Sequence, residues 1–216
     1  MQRTARETAA ASHALAGIVS AVVFVVAIIL VKWPGGGDSS SDVARHLSTQ
    51  GHRLQQYVAG YLLVAAALLF LWFIAGLRQR VSDAGGPSET PTWLTSVGGG
   101  IATALLLASG AISVFMAGSV SFGEDRAKAP IIGSMGWTAA ALTIFSMFAI
   151  AVVIATISTL ATRNMVFPRW FAWLGYICTL ALVLSLFFIT MIAFPIWLIV
   201  ASVLMLRGHE PAAVTA

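Results

Sequence analysis

Charged side chains make up only 9% of this 216-residue chain, against about 25% in an ordinary soluble domain. The deficit is regional: segments 14–31, 57–77, 93–122, 131–162 and 170–206 hold neither a charge nor a histidine, and together they account for 138 residues. Transport coupled to protons or sodium is not expected, because it normally leaves a carboxylate, histidine or lysine within the bilayer. Nor do glycines or prolines interrupt the middles of these runs in matched positions, as broken-helix transporters require.

Cysteine is nearly absent. The single Cys178 excludes an internal disulfide, a CxxC redox pair and a thiolate zinc site. Lying in an apolar run, it is expected to be an inert packing residue, since reactive thiols need a polar, charge-stabilising environment. Catalytic patterns are missing too: there is no GxxxxGK[ST], HExxH or GxSxG, and no pair of carboxylates within an apolar run. Gly35-Gly36-Gly37-Asp38 spells the GxGD of intramembrane aspartyl proteases, but it sits in a polar segment with no second intramembrane aspartate, and reads as a flexible linker. All four histidines, His13, His46, His52 and His209, fall outside the runs, which argues against a bis-histidine haem. His46 and His52, with Asp38, Asp42, Glu124 and Asp125 on the same side, match no zinc spacing. We therefore expect no catalytic residue, cofactor or metal. The net charge of +4 and pI near 9.8 do not point to nucleic acid, because the twelve Lys and Arg are scattered at the ends of apolar runs and form no phosphate-binding stripe.

What the chain has in abundance is apolar length, with hydrophobic residues at 59%. A helix needs about 20 apolar residues to cross ~30 Å of hydrocarbon, so each of the first four runs holds one crossing. The fifth would measure about 55 Å as one helix. Pro195 is its only breaker, and proline suits the first turn of a new helix, where its missing N–H is unpaired anyway. The expectation is an all-α, polytopic transmembrane helical bundle in a single domain, 1–216. Its six helices fall at about 14–32, 56–77, 93–118, 135–160, 169–188 and 193–207, with a tight apolar turn at 189–193. The first run exceeds a signal-peptide core, and Trp33-Pro34-Gly35 is no cleavage site, so it reads as a retained helix.

Both termini are expected in the cytoplasm. Seven cations (Arg3, Arg6, Arg78, Arg80, Arg163, Arg169, Arg207) then lie inside and five (Lys32, Arg45, Arg53, Arg126, Lys128) outside, the sign of the positive-inside rule. Trp33, Trp137 and Trp197 fall at expected outer ends, and Trp72, Trp93, Trp170 and Trp173 at inner ends, the interfacial depths indoles favour.

Between the first two helices, segment 34–56 starts with a Gly/Ser-rich stretch and continues into a short amphipathic helix on the outer surface. Ser41 would cap it, Asp42 complement its dipole, Val43 and Leu47 share its face, and Gly51 end it. Segment 82–92 reads as a loop without folded content. His46, His52, Arg126 and Lys128 form a candidate outer polar cluster. Small residues mark the third run (Gly98-Gly99-Gly100, Ala102, Ser109, Gly110, Ser113, Gly118) and the fourth (Ala140, Ala151, Ala155, Thr159). In lipid they allow close helix approach, within the bundle or against a second copy or partner helix.

Three junctions are familiar. Phe167-Pro168-Arg169-Trp170-Phe171-Ala172-Trp173-Leu174-Gly175, then Pro195-Ile196-Trp197-Leu198 with Ser202 and Leu206-Arg207, and Gly76-Leu77-Arg78 resemble a large, actinobacteria-rich bacterial family of six-helix integral membrane proteins known as a domain of unknown function. The resemblance implies a multi-pass protein of the bacterial cytoplasmic (inner) membrane and supplies no catalytic residues. Two functions follow. The first is a non-enzymatic accessory or scaffold component binding lipids, another membrane protein or a second copy. The alternative is an uncoupled facilitator moving a small apolar or lipidic solute along a groove lined by Thr103, Ser109, Ser113, Ser146 and Thr156. A facilitator needs those hydroxyls on a common inward face; a scaffold needs the small residues around Gly110 turned toward lipid or a partner.

Overall fold

The computed structural model describes residues 2–33, 40–83, 89–121, 129–163, 167–185 and 189–207. Among them there is no strand. The elements are α1 (Gln2–Leu30), α2 (Ser40–Ser48), α3 (Gln50–Asp83), α4 (Thr90–Ser121), α5 (Ala129–Thr162), α6 (Arg169–Val183), a 3-10 turn (Ile189–Ile192) and α7 (Ala193–Arg207). Five stretches are long and apolar enough to cross a membrane: Ala10–Leu30, Gln50–Asp83, Thr90–Ser119, Pro130–Thr162 and Ile189–Arg207. This all-α architecture fits a multi-pass helical membrane bundle. α6, with 15 residues, reaches about 22 Å, short of the ~30 Å hydrocarbon layer.

Most helices overrun the charge-free runs. α3 starts at Gln50 rather than 56 and ends at Asp83 rather than 77, because the hydrogen-bond ladder continues through polar residues once nucleated. Segment 82–92 is accordingly helical at both ends; 84–88 lie outside the described residues. α6 is the exception and stops at Val183, five residues before the expected end. The Leu184 N–H is shared between the Leu180 and Ala181 carbonyls at 3.2 and 3.1 Å. Thr190 Oγ1 donates to the Leu184 carbonyl at 2.9 Å, satisfying an orphan acceptor that would be costly in lipid. The break therefore opens at Leu184 rather than Ile189. Pro195 sits in the first turn of α7 as expected.

α3 packs between α1 and α4, α4 between α3 and α5, and α6 against α5; α7 returns to α1 and closes the bundle. Its closure is aromatic. Phe194 meets Phe24 and Phe70 edge-on at centroid distances of 5.1 and 5.3 Å. Trp197 lies edge-on to Phe73 at 6.4 Å and beside Phe171 at 5.8 Å. Trp197 is therefore wholly buried and not an interfacial indole: core packing of a large ring outweighs its preference for the headgroup region. Arg80 fixes the end of α7, donating to the Leu204 and Met205 carbonyls at 3.4 and 3.3 Å while its guanidinium lies over the Phe167 ring at 5.7 Å. With His13 of α1 held beside Trp72 of α3, the start of α1 and the ends of α3 and α7 occupy one end of the bundle.

At the opposite end, α2 docks by Val43 and Leu47, 1% and 0% exposed, onto Met116 and Ile132. It starts at Ser40, so Ser41 lies inside its first turn, and it stops at Ser48. Gly51 is not its terminator but a first-turn residue of α3.

Glycines mark the seams. A Cβ on Gly110 would stand 2.8 Å from the Gly60 carbonyl oxygen, and one on Gly60 2.9 Å from that of Gly110, so α3 and α4 cross with backbones in contact. Gly17 makes room for Ser202 and Phe73, Gly76 for His13, and Gly175 for Ser158. Gly100, by contrast, has nothing within 4 Å of a Cβ. Gly110→Ala should cost roughly 1–3 kcal/mol through overpacking, whereas Gly100→Ala should be neutral or gain up to about 1 kcal/mol of helix propensity. Thermal melting of both variants in one detergent checks the contrast, and equal shifts would contradict the close crossing.

Candidate functional site

Each hydroxyl expected to line a groove falls among the described residues. Ser109 and Ser113 share a face of α4 and are both buried, but Ser109 is tied into a helix junction. Its Oγ lies 2.8 Å from the Ala139 carbonyl and 2.8 Å from Thr143 Oγ1, which is itself 3.1 Å from that carbonyl. Two hydroxyl protons thus serve three oxygens at the α4–α5 seam. Thr103 donates to Gly99 O at 2.8 Å, Ser146 to Thr143 O at 2.6 Å and Thr156 to Val152 O at 2.8 Å, each within its own helix. Thr103 and Ser146 are buried, whereas Thr156 is only half-buried. Ser113 and Ser202, both fully buried, have no hydrogen-bond partner among the described residues. Gly110 is engaged with Gly60, and Gly98 and Gly99 face Val153 and Ile74 in the same way.

A groove lies between α4 and α5. Ala111, Ile112 and Phe115 of α4 and Ser134, Met135 and Thr138 of α5 line an open, apolar-walled recess of about 410 Å³. Ser134 and Thr138 return their hydroxyls to Ile131 O and Ser134 O, both at 2.8 Å, so it offers little polarity. None of the expected groove hydroxyls contributes to it.

Of the outer polar cluster, His46 and His52 stack at 3.9 Å with planes 10° apart, and His52 Nδ1 lies 3.1 Å from His46 O. Arg126 and Lys128 lie outside the described residues. Among the described residues no three His, Cys, Asp or Glu side chains converge as metal ligands.

Three polar sites escaped the sequence reading. Gln55 Nε2 donates to Leu30 O at 3.0 Å, capping a last carbonyl of α1 that lacks a helical partner, and the Lys32 N–H just beyond the helix donates to Gln56 Oε1 at 2.9 Å. The two glutamines just before an apolar run were the available signal. His13 falls within the apolar stretch of α1, with Nδ1 2.9 Å from Trp72 O, in a gap that only Gly76 permits. The third is the α5–α6 corner. Thr159 Oγ1 lies 3.3 Å from the Tyr176 hydroxyl, Trp173 packs on Tyr176 at 6.4 Å, and exposed Arg163 and Arg169 stand at the corner's two helix ends.

Ser109→Ala should remove an interhelical bond and cost about 1 kcal/mol. Ser113→Ala should be neutral or stabilising, because its hydroxyl is buried without a partner among the described residues. Equilibrium unfolding of the two variants in mixed micelles measures the difference, and a larger loss at Ser113 would refute this account.

Neither a family model, nor a curated protein, nor a solved structure matches the chain.

Proposed function

We propose that this chain is a non-enzymatic integral membrane component, an accessory or scaffold that binds partner proteins or lipids. One observation carries the reading: the buried hydroxyls of Ser20, Thr103, Ser109, Thr143 and Ser158 are bonded to backbone carbonyls of the bundle itself. Recognition then belongs to the outer faces and the helix ends. Most small residues of α4 point into the seams, so a second copy docking on that helix would use the open face at Gly100. Purification in mild detergent, with mass spectrometry of co-purifying molecules, tests the proposal. A stoichiometric protein or an enriched lipid class is expected, whereas turnover of a substrate by the purified chain would overturn it.

The α4–α5 groove favours a second reading, uncoupled passage of a small apolar or lipidic solute. The route would follow the bundle's outer surface rather than Thr103, Ser109, Ser113, Ser146 and Thr156.

For topology we propose six crossings with both termini in the cytoplasm of a bacterial inner membrane and α2 outside. The charge distribution, the exposed indoles of Trp72, Trp93, Trp170 and Trp173 and the common end shared by α1 and α7 support it. The resemblance of the junction motifs to the six-helix family supports the same membrane. α6, being short, requires local bilayer thinning. Single cysteines at Ser40 and Ser88 in a Cys178→Ala background should react with an impermeant maleimide from outside and inside respectively. Labelling at Ser88 in intact cells would reverse the orientation.

A further inference from the structure

We propose that the α5–α6 corner is a docking site for the headgroup of one anionic phospholipid. The inference rests on the proposed function and deepens it by naming a ligand class and a place. Its first support is charge: residues 129–209 contain no Asp or Glu, and the only Lys or Arg residues among them are Arg163, Arg169 and Arg207. Glu7, Asp83 and Glu89, the acids in the described elements at the same end of the bundle, belong to α1, α3 and the α3–α4 connection, off both helices of the corner. Arginine is suited to a phosphate, which it grips with a planar fork of donors.

The second support is the order of side chains along α6. Arg169 opens the helix, Trp170 follows at 55% exposure, and Trp173, Ile177 and Leu180 continue one outward face at 72%, 66% and 65%. Tyr176, whose hydroxyl lies 3.3 Å from Thr159 Oγ1, packs beside the Trp173 indole. Charge, then indole and hydroxyl, then aliphatic surface follows the order of phosphate, glycerol and acyl chain in a phospholipid. The first turn of α6 has no side-chain cap, so its N–H groups add partial positive charge beside the guanidinium groups. A soluble anion would use the charge but leave the aliphatic face without a role.

The test uses the full chain, stripped of lipid in detergent and titrated by native mass spectrometry with phosphatidylglycerol and, separately, phosphatidylcholine of the same acyl chains. Each arginine near an anionic headgroup is worth about fivefold, so a preference of roughly 25-fold for phosphatidylglycerol is expected. Arg163→Gln with Arg169→Gln should abolish that preference, the double lysine variant should keep most of it, and Arg78→Gln should leave it intact. The proposal is overturned by equal binding of the two lipids. It is equally overturned by an undiminished preference in a double glutamine variant of unchanged melting temperature, or by displacement of the lipid with millimolar inorganic phosphate. A bare monomer on co-purification would remove the protein-partner reading and leave this site standing; loss of the lipid preference with a stoichiometric partner retained would do the reverse.

Discussion

Lipid tails are as apolar as leucine, so the helices of this chain gain little in a bilayer by hiding hydrophobic surface from one another and must gain by close contact. The crossing of Gly60 and Gly110 is where that requirement is most visible, because each glycine occupies the space that a Cβ on the other would need. Dispersion falls steeply with separation, so a seam opened by one methyl group loses contacts along several turns of both helices. Repetition of the device at Gly17, Gly76 and Gly175 links α1 to α7, α1 to α3 and α5 to α6. The bundle is in this sense a set of glycine-marked crossings, with the aromatic cluster around Trp197 filling the volume they enclose.

The same solvent makes unpaired backbone expensive wherever a helix ends within it. Gln55 meets the last carbonyl of α1 and Gln56 the Lys32 N–H just beyond it, Arg80 meets carbonyls in the last turn of α7, and Thr190 meets the carbonyl left behind where α6 stops. These contacts also explain how a 37-residue charge-free run divides without a polar turn. A threonine and a bifurcated N–H meet the groups freed at the end of α6, and proline then sits in the first turn of α7, where its missing donor costs nothing.

The helical class and the four long apolar helices were legible in the sequence because charge-free length is a one-dimensional property. Partners across the bundle were not. Trp197 and Trp173 both stand near the start of a helix and look alike in sequence, yet one is fully buried and the other is 72% exposed; only the return of α7 onto α1 and α3 separates them. The surroundings of the hydroxyls were illegible for a related reason. Ser and Thr in a helix satisfy themselves on the carbonyl a turn earlier, so their presence in an apolar run says little about a lining. The extent of α3 was missed because charge marks where a crossing leaves hydrocarbon, not where its hydrogen bonds stop.

A bundle that engages most of its interior glycines, and hydroxyls such as those of Ser20, Ser109 and Thr143, in its own packing and hydrogen bonds leaves few polar groups inside for recognition, Ser113 and Ser202 among them. Its distinguishing chemistry lies at the edges: two docked apolar residues under α2 at one end, and arginines with exposed indoles at the other. The edges also differ in kind. The α2 end carries cations and acids together, as in the Asp42–Arg45 pair at 3.9 Å, and its charges partly neutralise one another. The α5–α6 corner has arginine without acid on either helix, next to a continuous apolar face, so its net charge suits an anion that arrives with a hydrophobic tail. Selectivity of this chain for its surroundings is thus expected at that corner rather than in the packed interior.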